Sequence, residues 1–78
     1  MIEVMDSSVY RDRGVKLPLY ARASVPEVWL VDVSLDTVEI CREPVGRRYR
    51  STRVAARGEQ IAPLAFPDVS LAVTDLVG

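Results

Sequence analysis

Glu3, Asp12, Lys16 and Tyr20 are the residues whose types and spacing could do chemistry in this chain. Glu3 sits in a short apolar run, Ile2–Glu3–Val4, that would hold its carboxylate on a strand. Asp12, Lys16 and Tyr20 recur every four residues, a spacing that stacks three side chains on one face of a helix. Lys16 is the only lysine, and the other basic residues are all arginine. A compact ammonium at this one place differs in kind from a planar guanidinium fork. The spacing suits a polar site, and it equally suits a plain surface ion pair between Asp12 and Lys16.

Composition narrows the chemistry. The chain has no histidine and one cysteine, Cys41. That excludes Ser–His–Asp and Cys–His catalysis within one chain, an internal disulfide, and a zinc site built on cysteine. Carboxylates, the lysine, tyrosines and hydroxyls remain. No long apolar run and no basic-then-apolar start is present, so neither a membrane span nor a signal segment is expected and the cytosol is the expected compartment. Charge is unevenly spread. Residues 26–41 hold four acids and no base, whereas residues 42–57 hold six arginines against Glu43 alone. The arginine block offers a polyanion, such as nucleic acid, a set of contacts at Arg47, Arg48, Arg50 and Arg53. A solvated basic hairpin explains it as well.

These side chains need elements to position them. At 78 residues the chain is expected to form a single domain, 1–78, with a small core. Ser7 or Ser8 can cap a helix over about 9–23, with Val15, Leu19 and Ala23 as its apolar stripe. Pro18 predicts a kink or a break near 14–18. Ser24–Val25–Pro26 ends it, because a residue before proline avoids the helical region. Residues 27–33, EVWLVDV, are apolar on both alternating faces and predict a central strand covered on both sides. Trp29 reads as core and Asp32 as a strand-end acid facing a turn. Strands over 37–43 and 48–56 follow, with turns at 34–36 and 44–46, giving an antiparallel meander. In the third of these strands Arg48, Arg50 and Thr52 should share one face, and Tyr49, Ser51 and Arg53 the other. The tail, broken by Pro63 and Pro67, predicts short extended pieces near Ile61 and Val69–Leu71, then a helical turn capped by Thr74. The fold class is α+β: one N-terminal helix on a small, mainly antiparallel sheet, with the first strand beside 27–33.

Taken together, EVMDSS, the following Asp12, KLPLYARA, VPEVWLVD and the tail APLAFPDVSLAVTDL resemble the Uma family of restriction-endonuclease-like nucleases. That family is similar to the PD-(D/E)XK nuclease superfamily. The resemblance implies a partial restriction-endonuclease-like fold in which Glu3 matches a metal-binding carboxylate and Lys16 the catalytic lysine. The superfamily places its lysine two residues after the acid, and that position here is Met5. Asp12 and Tyr20 match further motif positions as supporting residues. The implied activity is Mg²⁺-dependent hydrolysis of DNA, because a hard cation held by carboxylates activates water and offsets phosphate charge.

The family's upstream half, with a further acid, has no counterpart here. The expectation is therefore the C-terminal part of such a domain, binding metal weakly and inactive alone. A non-catalytic interaction remnant and a basic nucleic-acid-binding module are the other readings. An unpaired edge at the first strand and uncovered apolar surface predict self-association or a complementing chain.

Overall fold

The computed structural model describes residues 1–5 and 13–78. The expected turn and helix start over 6–12, and Asp12 with them, lie outside the described residues. Four strands form one sheet in the order β1 (Ile2–Met5), β2 (Glu27–Asp32), β3 (Thr37–Val45), β4 (Arg48–Ala56). β1 runs parallel to β2, and the other two pairings are antiparallel. The α+β class, the meander and the placement of the first strand beside the second agree with the sequence. A two-stranded ribbon, β5 (Gln60–Ile61) with β6 (Leu71–Ala72), and a short helix α2 (Val73–Val77) make up the tail.

Register fixes which residues share a face. Ile2, Trp29, Ile40 and Arg53 form one cross-strand row, and Val4, Val31, Val38 and Ala55 the next. The tail covers the middle of this face: Ile61, Val73 and Val77 close a cluster with Trp29, Val31, Val38, Ile40 and Ala55. On the other face α1 (Arg13–Arg22) brings Ala21, with Leu17 and Tyr20 beside it, onto Val28, Leu30, Cys41 and Tyr49. β2 is therefore buried on both sides, as its continuous apolar run requires. The molecule is a slab of 34 × 32 × 15 Å. So thin a slab leaves the sheet margins bare, and Ile2, Val4 and Val54 are all more than half exposed.

Several local details differ from the sequence reading. α1 runs through Pro18 as one helix. Its packing stripe is Leu17, Tyr20 and Ala21, while Leu19 is 57% exposed; Ala23 is exposed as well. The helix ends in a Schellman motif, with Val25 N–H donating to Tyr20 C=O and Ser24 N–H to Ala21 C=O. Ser24 takes φ 57 there, a conformation glycine adopts freely and other residues adopt at a cost of about 1–2 kcal/mol. β3 continues through Pro44 and Val45, so the turn shrinks to Gly46–Arg47, with Gly46 at φ 62 in the first turn position as a type II′ hairpin requires.

Tyr49 also departs from the expected alternation. It packs in the helix-side cluster and donates its phenol to Val25 C=O at 2.7 Å. Opposite this stretch Glu43 takes φ 60, between the Arg42–Ser51 and Pro44–Tyr49 pairs. Burial pushes the Tyr49 phenol above its ordinary pKa. At the end of the chain α2 begins at Val73 after Ala72, with no side-chain cap, so Thr74 does not cap it.

Trp29 and Asp32 stand as expected. Trp29 is 2% exposed. Asp32 is buried, and its Oδ1 accepts from Ser34 N–H, Ser34 O–H and Leu35 N–H, which closes the β2–β3 turn.

Glu27 ties the tail to the sheet. Its carboxylate accepts from Arg42 Nε at 2.6 Å and from Leu64 N–H at 3.0 Å, while Arg42 also donates to Ala62 C=O. Burial by itself would raise the Glu27 pKa. The Leu64 N–H, the Trp29 indole and the Arg42 hydrogen bond and charge outweigh that and hold it below its ordinary 4.5. A lowered folded-state pKa contributes stability that is present above the unfolded value and lost as pH falls through the folded one. Chemical denaturation from pH 7 to pH 3 should therefore show stability falling below pH about 4.5. Glu27→Gln should be less stable at pH 7 and flatter on that acid limb, and an unchanged limb would remove Glu27 from the account.

Candidate active site on the helix side of the sheet

Glu3 pairs with Leu30 across β1 and β2, which turns its side chain to the helix side. Strand alternation then puts Met5 on the same side, and Met5 indeed packs in the helix-side cluster. α1 brings Lys16 and Tyr20, one turn apart, to this carboxylate. Tyr20 donates its phenol O–H to Glu3 Oε1. Lys16 Nζ stands 3.7 Å from Glu3 Oε2. Each oxygen of one carboxylate thus faces a different group from the helix. The i, i+4 spacing that marked Lys16 and Tyr20 in the sequence places both on the sheet-facing side.

The electrostatics are those of a partly wet site. The Glu3 and Lys16 side chains are 28% and 44% exposed, so the ion pair adds little to stability. At 3.7 Å the ammonium lies beyond good hydrogen-bond length, and Oε2 keeps lone pairs for another ligand. The Tyr20 hydrogen bond fixes Oε1 and so orients the carboxylate. Met5, two residues on, supplies no charge, so among the described residues Lys16 is the cation beside Glu3.

Whether these residues fit a divalent cation turns on their number. Mg²⁺ demands octahedral oxygen coordination and keeps its waters unless carboxylates and phosphates converge on it. Among the described residues no three acids, cysteines or histidines gather to hold a metal. Glu3 fits one ligand position and does not by itself make a closed site.

The arginine block lies elsewhere. Arg47 falls in the β3–β4 turn, and Arg48, Arg50 and Arg53 on β4, all exposed. β4 is the third strand from β1, roughly 14 Å away at ~4.8 Å per strand. Arg53 is in register with Ile40 and so lies on the tail side, 3.9 Å from Glu59.

Sequence reasoning gave no sign of an apolar groove of about 410 Å³ on the tail side. Met1, Ile2, Trp29, Leu64 and Phe66 are among its lining residues. It forms only because the segment around Pro63 folds back along β1 and β2, a non-local arrangement with no short-range signal.

Comparison with known proteins gives a family match over most of the chain. The Uma2 model, described as "Putative restriction endonuclease", matches residues 1–74. The chain belongs to the Uma2 family. No curated protein and no solved structure matches it. As a Uma2 protein it pairs a nuclease-family match with a sheet and helix consistent with a partial restriction-endonuclease-like fold. Among its described residues no helix is long and apolar enough to cross a membrane.

Proposed function

We propose that this Uma2 chain carries one half of a metal-dependent DNA endonuclease site, with Glu3 as cation ligand, Lys16 as the charge-stabilising lysine and Tyr20 as the residue that positions Glu3. The observation that carries this reading is the division of one carboxylate between two helix residues, Tyr20 on Oε1 and Lys16 near Oε2. In hydrolysis of a phosphodiester a bound divalent cation supplies an activated water and neutralises charge on the phosphate. Glu3 would offer Oε2 to that cation while Tyr20 prevents the carboxylate from rotating away. The Lys16 ammonium, on a flexible stem and partly exposed, is placed to swing from Glu3 to a phosphate oxygen and stabilise the charge that develops there. With a single carboxylate among the described residues the site is incomplete, so one copy of the chain binds Mg²⁺ weakly and does not cleave DNA. The exposed arginines of the β3–β4 hairpin give the same molecule a sequence-independent hold on the phosphate backbone.

Paramagnetic line broadening tests the ligand assignment. Mn²⁺ titrated into the isotopically labelled chain should broaden the amide resonances of Glu3 and of its neighbours Leu30 and Tyr20 first. Those of Arg47 and Arg48 should stay sharp at the same Mn²⁺ concentration, and Glu3→Gln should abolish the selectivity. Uniform broadening, or broadening that persists in Glu3→Gln, would remove Glu3 as the ligand.

A further inference from the structure

We infer that a cavity on the tail side of the sheet binds a small organic phosphomonoester, of the size of a nucleoside monophosphate. The inference goes beyond the reading of Glu3 and does not rest on it, because Glu3 lies on the opposite face. The cavity has a volume of about 270 Å³, at the small end of the range for ligand pockets. It has room for one small molecule and none for a duplex. Ile40 and Ile61, each 5% exposed, form its floor, and Arg42, Ser51, Arg53 and Gln60 line the rest.

Strand register makes these residues converge. Arg42 stands opposite Ser51, and Ile40 opposite Arg53. Arg42 and Arg53 are therefore diagonal neighbours across β3 and β4, about 7–8 Å apart. Side chains as long as arginine span that gap, so both reach a single tetrahedral oxyanion. The tail returns over this face and adds Gln60 and Ile61.

The polar groups of the cavity are donors. Arg42 gives Nε to Glu27 and Nη2 to Ala62 C=O, which holds the guanidinium in place and leaves Nη1 over. Gln60 Oε1 accepts from Ser70 O–H at 2.6 Å, so the open end of its amide is the N–H end. Arg53 is 58% exposed, and Glu59 stands 3.9 Å from it, beyond hydrogen-bond length. The other Glu59 oxygen is held by Ala56 N–H at 2.7 Å. With the Ser51 hydroxyl, these walls offer more donors than the two oxygens of a carboxylate take up. A phosphomonoester presents three acceptor oxygens, and guanidinium forks match their geometry. The apolar floor suits the organic group that such a phosphate carries. Arg47, Arg48 and Arg50 on the same hairpin add positive potential that steers an anion to the cavity.

Titration of the isotopically labelled full chain with millimolar adenosine monophosphate tests this by amide chemical shifts. Separate arms use adenosine, inorganic phosphate and an oligonucleotide with a terminal phosphate. The expected result is saturable shifts at Ser51, Arg53, Gln60 and Ile61 with the monophosphate, weaker binding of inorganic phosphate, and no response to adenosine. Arg53→Gln, at an exposed position, should weaken binding about tenfold, the loss of one charge-assisted hydrogen bond. Arg48→Gln makes the same charge change on the same strand outside the cavity and should weaken it less than twofold. An oligonucleotide that binds more tightly than the monophosphate makes the ligand a strand end, and a weaker one makes it a free nucleotide; either supports the site. Absence of saturable shifts at these four residues, an equal response to adenosine, or equal weakening by the two variants overturns the proposal. The wild-type titrations need no variant to fold.

Discussion

Trp29→Ala is expected to cost about 3–5 kcal/mol of folding stability, the largest loss any single substitution in this chain should produce. A domain of 78 residues has roughly 4–12 kcal/mol in total at ~0.05–0.15 kcal/mol per residue. The variant should therefore be close to unfolded at 25 °C. Trp29 is the largest fully buried side chain, and its cluster is where the tail residues Ile61, Val73 and Val77 meet the sheet. The apolar groove already opens beside it, so a second void would leave the tail little to pack on. The loss is one of volume. The indole N–H helps keep Glu27 ionised but has no hydrogen-bond partner in proper geometry. Trp29→Phe should accordingly cost less than half as much. Urea denaturation of the two variants checks this, and similar losses for both would mean that the indole N–H carries energy not seen in the fold.

The second large effect concerns DNA. Replacing Arg47, Arg48 and Arg50 together with alanine should weaken binding to duplex DNA by a hundredfold or more at low salt. It should also flatten the plot of log affinity against log salt by about 2.7, at ~0.9 for each phosphate that an arginine no longer neutralises. Arg53→Ala should leave the slope nearly unchanged, because Arg53 lies on the tail side near Glu59. Fluorescence anisotropy at several salt concentrations separates the two. A slope that drops by about 0.9 for Arg53→Ala would mean that Arg53 also neutralises a phosphate and that DNA reaches the tail side of the sheet.

Much of this architecture is legible in the residues. β2 declares itself because valine, leucine and tryptophan fill both alternating faces, which suits a strand packed on two sides and little else. β3 and β4 follow from β-branched alternation and the glycine between them. Lys16 and Tyr20 reach one carboxylate because a four-residue period keeps side chains on one helix face, and that period is local. What the residues do not disclose is set by distant partners or by single dihedral angles. Leu19 looks like core in a periodic pattern, yet Ala21, small enough to approach the sheet closely, takes that role. Tyr49 lies on the helix side, where its phenol reaches Val25 C=O, although strict alternation from Arg53 would put it on the tail side. The Glu27–Arg42 pair needs the hairpin register before it can be seen at all. Ser24 occupies a position where glycine would advertise the helix end, so the end is read one way from Pro26 and made another way by the Schellman bonds.

The central claim is that Glu3, with Lys16 and Tyr20, forms a site that gathers no second carboxylate among the described residues. Incubation of supercoiled plasmid with the purified chain and Mg²⁺, at nanomolar concentrations with a monomeric mass checked by sedimentation, tests that claim most directly. The predicted result is intact plasmid, with no difference between the wild-type chain and Glu3→Ala. Robust Mg²⁺-dependent nicking by the monomer, abolished by Glu3→Ala, would contradict it.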